Sequence, residues 1–347
     1  MKTKYKNWVK RVLGLAALGI ILPLMAAAGE SLLINGAGAT FPYPLYSKWF
    51  FDYQKVHADM KFNYQSIGSG GGIKQITAKT VDFGASDAPM SDYELTNLSE
   101  PILHIPTALG GVVLAYNLPD IGADLKLTGP VIADIFMEKI TKWNDPKIAA
   151  LNADKKLPDQ PIVVVHRSDG SGTSSVFTDY LAKVSNGWKM KVGAGKSVNW
   201  PTGLGGKGNE GVTGLIKQTP GSLGYIELGY AMQNKIPYAL VQNKAGQFIQ
   251  ATIESVSASA AGVAIPEDYR VSITDANGTS AYPISSFTYL LIYKKQKDAA
   301  KGKAIVDFLK WAIHDGQKTA AGLFYSPLPD NVVSRLDKTI VQITIAP

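Results

Sequence analysis

Two hydrophobic periods alternate along this chain. Short β-branched or aromatic runs give way, a few residues later, to stretches in which apolar positions return every three or four residues. Ser31 to Asn35 reads as a strand and Pro44 to Lys55 as the helix after it, with Trp49, Tyr53 and Val56 at helical spacing. Lys61 to Tyr64 then predicts a strand, and Ile73 to Lys79 opens another helix. Val112 to Tyr116 and Ile162 to Val165 are compact apolar strands, the second leading into a helix over Ser174 to Lys183. Near the end, Ser286 to Tyr293 reads as a strand, and Lys303 to Ile313 as a helix with Ile305, Phe308, Leu309 and Ala312 on one face. This alternation predicts α/β layers. Residues 243 to 280 show no sustained period, and no single break separates two halves. That is the pattern of a first domain that the chain leaves and later re-enters.

Composition adds a boundary at the start. Lys2, Lys4, Lys6, Lys10 and Arg11 precede an apolar run that ends at Ala26, Ala27 and Ala28, the grammar of a secretory signal peptide over residues 1 to 28. A retained anchor would need about 20 apolar residues and no small-residue cleavage site. The formal charge of +7 is therefore misleading. Five of the 35 basic residues and none of the 28 acidic ones lie in the leader, so the remaining chain carries +2. Nucleic-acid binding needs clustered Lys and Arg, and that balance excludes it. The chain has no cysteine. It therefore has neither a disulfide framework nor a lipid-attachment site after the leader, and we expect a freely soluble protein between two bacterial membranes.

Any anion specificity must then be local, and three segments have the grammar for it. Backbone N–H groups at a helix N-terminus present several donors and a partial positive charge. Gly36-Ala37-Gly38-Ala39-Thr40-Phe41-Pro42 follows a strand and precedes a helix, as does Ile67-Gly68-Ser69-Gly70-Gly71-Gly72. Arg167-Ser168-Asp169-Gly170-Ser171-Gly172-Thr173 supplies a guanidinium, two or more hydroxyls and small residues. Arg167 offers a bidentate fork, and Asp169 stands close enough to orient it or to cap the helix. A fourth segment, Asp82 to Pro89, places the carboxylate of Asp87 in a small-residue turn.

Rival chemistries fare poorly. Ser171 lies near His166 and Asp169, but Asp169 occupies the first glycine position of a G-x-S-x-G elbow. No enzyme is expected. Gly203 to Gly208 matches G-x-G-x-x-G formally, yet it follows Trp200-Pro201-Thr202 rather than a clear strand, and reads as a loop near a helix start. His57, His104, His166 and His314 are scattered without metal-ligand spacing. No cofactor and no metal are expected.

The strings GAGATFP, IGSGGGIKQI, VDFGASDAPMSD and RSDGSGTSSVFTDYLAKV resemble those of the periplasmic phosphate-binding proteins of bacterial high-affinity phosphate ABC transporters. The resemblance continues through KWNDPKIAALN, NWPTGLGGKGNEG, PGSLGYIELGYA and YSPLPDNVV, and is weakest over residues 243 to 280. It implies an α/β, two-lobed periplasmic solute-binding fold of type II, with the ligand cleft between lobes joined by a hinge. Lobe 1 would comprise residues 29–110 plus 281–347 and lobe 2 residues 111–280. The resemblance also implies a phosphate site. In it Thr40 and Phe41 donate backbone N–H groups, Thr40 and Ser69 add hydroxyls, and Asp87 is the one acceptor. Arg167, Ser171, Gly172 and Thr173 donate from the other lobe, and Asp169 steadies Arg167. The implied partners are inorganic phosphate and the inner-membrane permease subunits of an ABC importer, with its ATPase behind them. The chain would act as a monomer. The alternative of the same build is a binder of another tetrahedral oxyanion such as sulfate, and Asp87 separates the two.

Overall fold

The computed structural model describes residues 31–346, so the leader expected over residues 1–28 lies outside the described residues. Strand β1 (Leu32–Gly38) leads into α1 (Tyr43–Val56), which buries Leu45, Tyr46, Trp49, Phe50 and Tyr53. That three-to-four spacing is what one covered helix face requires. Strand β2 (Met60–Ser66) pairs parallel with β1, with Leu32 opposite Met60. After α2 (Ser69–Thr77), β3 (Phe83–Ser86) pairs parallel on the other side of β1. The next long strand, β4 (Ile102–Tyr116), is buried along nearly its whole length.

The second half repeats the scheme with β5 (Val163–Arg167), α3 (Gly172–Val184), β6 (Leu204–Gly206), α4 (Gly208–Gln218) and β7 (Ser222–Glu227). Helices α5 (Leu228–Gln233) and α6 (Ile253–Ala261) follow, then β8 (Ser285–Tyr293) and α7 (Ala299–Ile313). Among the described residues these eight strands form one sheet in the order β2-β1-β3-β8-β4-β7-β5-β6. Strand β4 has two partners on its length. It pairs antiparallel with β8 from Ile102 to Gly111 and with β7 from Val112 to Tyr116. The strand therefore changes partners between Gly111 and Val112, and the chain comes back beside the same point, where Val112 N–H donates to Ile284 O at 2.8 Å.

Each lobe has its own aromatic centre. Phe50 stacks on Phe62 at 4.7 Å in the first, and Phe177 on Tyr225 at 4.4 Å in the second. Burying a side chain of this size contributes roughly 1.5–3 kcal/mol, so these clusters hold the lobes as rigid platforms. Among the described residues no helix is long and apolar enough to cross a membrane.

Several local expectations shift. Helix α2 begins at Ser69 rather than Ile73, because its glycines form the first turn instead of a loop before it. The segment around Asp82 is not simply a turn, since Phe83 to Ser86 is a strand and Asp87 follows its end. Gly203 to Gly208 contains a short strand and then the start of α4. The illegible stretch 243 to 280 holds α6, capped by Thr252 and Ser255.

Candidate functional site

Every strand-to-helix turn singled out by sequence ends at the cleft between the lobes. Gly68 has φ +83° and a Cβ there would fall 2.7 Å from Gly170 O, so glycine is required for the second and third turns to meet. Gly172 is equally constrained, because a Cβ would lie 2.6 Å from Asp87 Oδ2 and would also run into Ser69 Oγ. The loops touch directly, with Gly70 N–H donating to Gly170 O at 2.8 Å.

The side chains form a ring. Arg167 is buried at 3% exposure, and its Nε and Nη2 donate to Asp169 Oδ1 and Oδ2 at 2.7 and 2.6 Å. Its Nη1 donates to Thr173 Oγ1 at 3.3 Å. Asn209 Nδ2 then donates to both Thr173 Oγ1 (3.1 Å) and Thr40 Oγ1 (2.8 Å), and the Asn209 amide donates to Thr40 Oγ1 at 3.1 Å. On the opposite side Ser69 Oγ accepts from the Asp87 amide at 3.1 Å and donates to Asp87 Oδ2 at 3.4 Å. Thr288 Oγ1 donates to Asp87 Oδ1 at 3.0 Å. Ser171 Oγ caps α3 by accepting from Ser174 N–H at 2.9 Å, which leaves its own proton to donate.

The sequence-predicted residues Thr40, Phe41, Ser69, Asp87, Arg167, Ser171, Gly172, Thr173 and Asp169 are thus all brought to one place. Asn209 and Thr288 were missed. Asn209 had a signal, since Lys207-Gly208-Asn209 is a fourth glycine-led helix start, whereas nothing local marks Thr288. His166 faces away, stacked on Trp200 at 4.9 Å, so it is no base for Ser171.

Electrostatics define what this ring can hold. Burial opposes the charge on Asp169, yet the Arg167 guanidinium holds its carboxyl below the ordinary range. Arg167 is therefore already matched, and the site has no surplus cation. What it offers instead is backbone. Within the described residues the amides of Thr40, Phe41, Ser69, Gly172 and Thr173 donate to no protein acceptor. Burial pushes Asp87 up to about 7, against the pull of Thr288, Arg167 and Ser69. The arrangement is a cage of backbone and hydroxyl donors plus the charge-matched Arg167, with Asp87 as the single carboxyl that has no paired cation, matched to an oxyanion that carries a proton.

Fold and cage together define a two-lobed solute-binding protein. A family model described as the PBP superfamily domain matches residues 25–315. The phosphate-binding protein PstS of Xylella fastidiosa (strain 9a5c) is 50% identical over 318 residues, 91% of this chain and 86% of that protein. The Pasteurella multocida (strain Pm70) protein of the same name is 48% identical over 322 residues, covering 92% and 93%. Among solved structures, a phosphate binding protein from Stenotrophomonas maltophilia superposes with a TM-score of 0.68 at 20% identity, over 89% of this chain and 94% of that one. The chain belongs to the PBP superfamily and, within it, to the PstS family of phosphate-binding proteins, which bind solute rather than transform it.

Proposed function

We propose that this chain captures inorganic phosphate in the periplasm and delivers it to the permease subunits, and through them the ATPase, of an inner-membrane ABC importer. Thr40, Phe41, Ser69, Arg167, Ser171, Gly172 and Thr173 donate to the ligand, Asp87 accepts from it and Asp169 orients Arg167. The observation that carries this reading is the buried carboxyl of Asp87, held against Ser69, Thr288 and Gly172 among groups that otherwise only donate. A proton on the ligand satisfies Asp87, and phosphate carries one at neutral pH. Sulfate does not, so Asp87 stands against that alternative.

Residues 1–28 act as a cleaved signal peptide, without a lipid anchor, and the chain works as a monomer. The transfer of β4 from β8 to β7 at Gly111 and Val112 supports lobes of 29–110 plus 281–347 and of 111–280. Calorimetric titration of the phosphate-stripped chain tests the reading. Phosphate binds, arsenate competes because it has the same shape and protonation pattern, and sulfate is weak. Sulfate binding as tightly as phosphate would overturn it.

A further inference from the structure

A second buried carboxyl stands beside the cage. Glu227 ends β7 opposite Val112, at the point where β4 changes partners, and it is completely buried. Its Oε2 accepts from Gly229 N–H at 2.8 Å and lies 3.1 Å from the Tyr325 hydroxyl. Its Oε1 is buried without a partner among the described residues, next to the Phe41 ring in the space left by Gly110. None of the ion pairs among the described residues includes Glu227.

Proton counting bears on its state. Tyr325 has one hydroxyl hydrogen, and the Phe41 carbonyl, 2.6 Å away, can only accept. That hydrogen therefore lies between Tyr325 and Phe41. The remaining contact, from Tyr325 to Glu227 Oε2, pairs two oxygens and is met by a full hydrogen bond when the carboxyl supplies the proton. A second phenol does the same work one residue earlier, since Tyr230 donates to Thr40 O at 2.6 Å. The Thr40 carbonyl belongs to the same peptide group as the Phe41 N–H. The two tyrosines thus hold the consecutive carbonyls of Thr40 and Phe41, and Tyr64 holds Ala39 O, whose peptide group carries the Thr40 N–H.

We infer that Glu227 stands in this protein as a neutral carboxylic acid that donates to Tyr325, and so acts as a positioning residue that anchors Phe41 and the turn carrying its amide donor. This rests on the phosphate-binding reading above. The charged surroundings agree. Burial raises Glu227 well above the carboxylate range and the Asp87 charge adds to the rise, against the pull of the Gly229 and Tyr230 amides and the Tyr325 hydroxyl. Glu210 faces it only through Tyr230, and Arg167 is committed to Asp169. Tyr230 and Tyr325 are themselves raised by burial and stay neutral.

The test joins infrared spectroscopy to titration. The phosphate-free wild type should show a carboxylic-acid C=O band that persists from mildly acidic to mildly alkaline pH, survives Asp87→Asn and disappears in Glu227→Gln. Glu227→Gln, which stays neutral, should bind phosphate about tenfold or more tightly than Glu227→Leu, because only the amide can still meet Tyr325. Absence of a Glu227-dependent acid band, or a Gln variant no better than the Leu variant, overturns the proposal. If Glu227→Leu does not fold, Tyr325→Phe replaces it. That variant should keep the acid band and lose about tenfold in phosphate affinity, and unchanged affinity overturns the positioning role. Failure of the wild type to bind phosphate would reject the functional reading instead, while the band still reports the state of Glu227.

Discussion

Replacing Asp87 with Asn should convert a phosphate site into one that accepts sulfate, and the structure sets the scale. Asp87 is 1% exposed, and burial raises it from 3.8 to about 7. About three pK units correspond to roughly 4 kcal/mol against the charged form in the closed site. Phosphate offsets part of this with an O–H bond to the carboxylate, and hydrogen bonds to charged groups contribute roughly 1.5–3 kcal/mol. Sulfate forfeits that bond and adds a like-charge contact. The loss of the bond alone amounts to about 10- to 150-fold in affinity. Asp87→Asn removes the charge and supplies an N–H donor, so the phosphate-to-sulfate ratio should fall by at least about tenfold. The pH dependence has a definite sign. The carboxyl, raised by burial, is neutral and able to donate to sulfate below about 7, and it becomes an unmatched anion above. Wild-type sulfate affinity should therefore fall as pH rises through that value, and that of the Asn variant should stay flat. Calorimetry of both anions with both proteins, at fixed ionic strength, decides it. An unchanged ratio would refute the role given to Asp87.

Arg167→Ala should weaken phosphate binding by roughly 2–5 kcal/mol, because it also leaves the half-buried Asp169 carboxylate without its cation; Thr173→Val should cost less, and equal losses in the two titrations would contradict this ranking. Asn209→Ala should weaken phosphate binding about tenfold without unfolding either lobe, since Asn209 ties Thr40 to Thr173 across the cleft. Lys196→Met should change affinity by about 1 kcal/mol at most, and less in high salt, because its pair with Glu94 at the cleft mouth is partly exposed. Mass spectrometry of the exported chain should find Gly29 at its N-terminus, following the small residues Ala26 and Ala28.

What the sequence disclosed and what it hid follow from range. The turns at Thr40, Ser69 and Ser171 were legible because the strand, the small residues and the helix that make each one are neighbours in the chain. Thr288 meets Asp87 from 201 residues away, Asn209 meets Thr40 from 169, and Tyr325 meets Phe41 from 284. No local pattern encodes such pairings. The first half of β4 was hidden for another reason. Pro106, Gly110 and Gly111 read as breakers, but the β8 register slips between Thr288 and Tyr289, and the bulge so formed tolerates the proline next to Thr107. Residues 243 to 280 stayed opaque because α6 is built from Ser and Ala, which carry little hydrophobic contrast.

On the proposed reading, closure and capture are one event. The lobes meet across the cleft through polar contacts, among them Gly70 with Gly170, Thr40 with Asn209 and Tyr230 with Thr40. The Thr40 hydroxyl accepts in these contacts and so retains its proton for a ligand, and the five cage amides remain unspent. Burying a polar group without a partner costs roughly 1–3 kcal/mol. Closing over nothing therefore carries a penalty that closing over an oxyanion removes several times over. Shifting a two-state population from mostly open to mostly closed takes about 5.5 kcal/mol of differential binding, which a few of those amides suffice to provide. The same donors that choose the anion thus also set the lobe equilibrium. A transporter that responds only to the closed lobes would thereby read the ligand's presence without touching it.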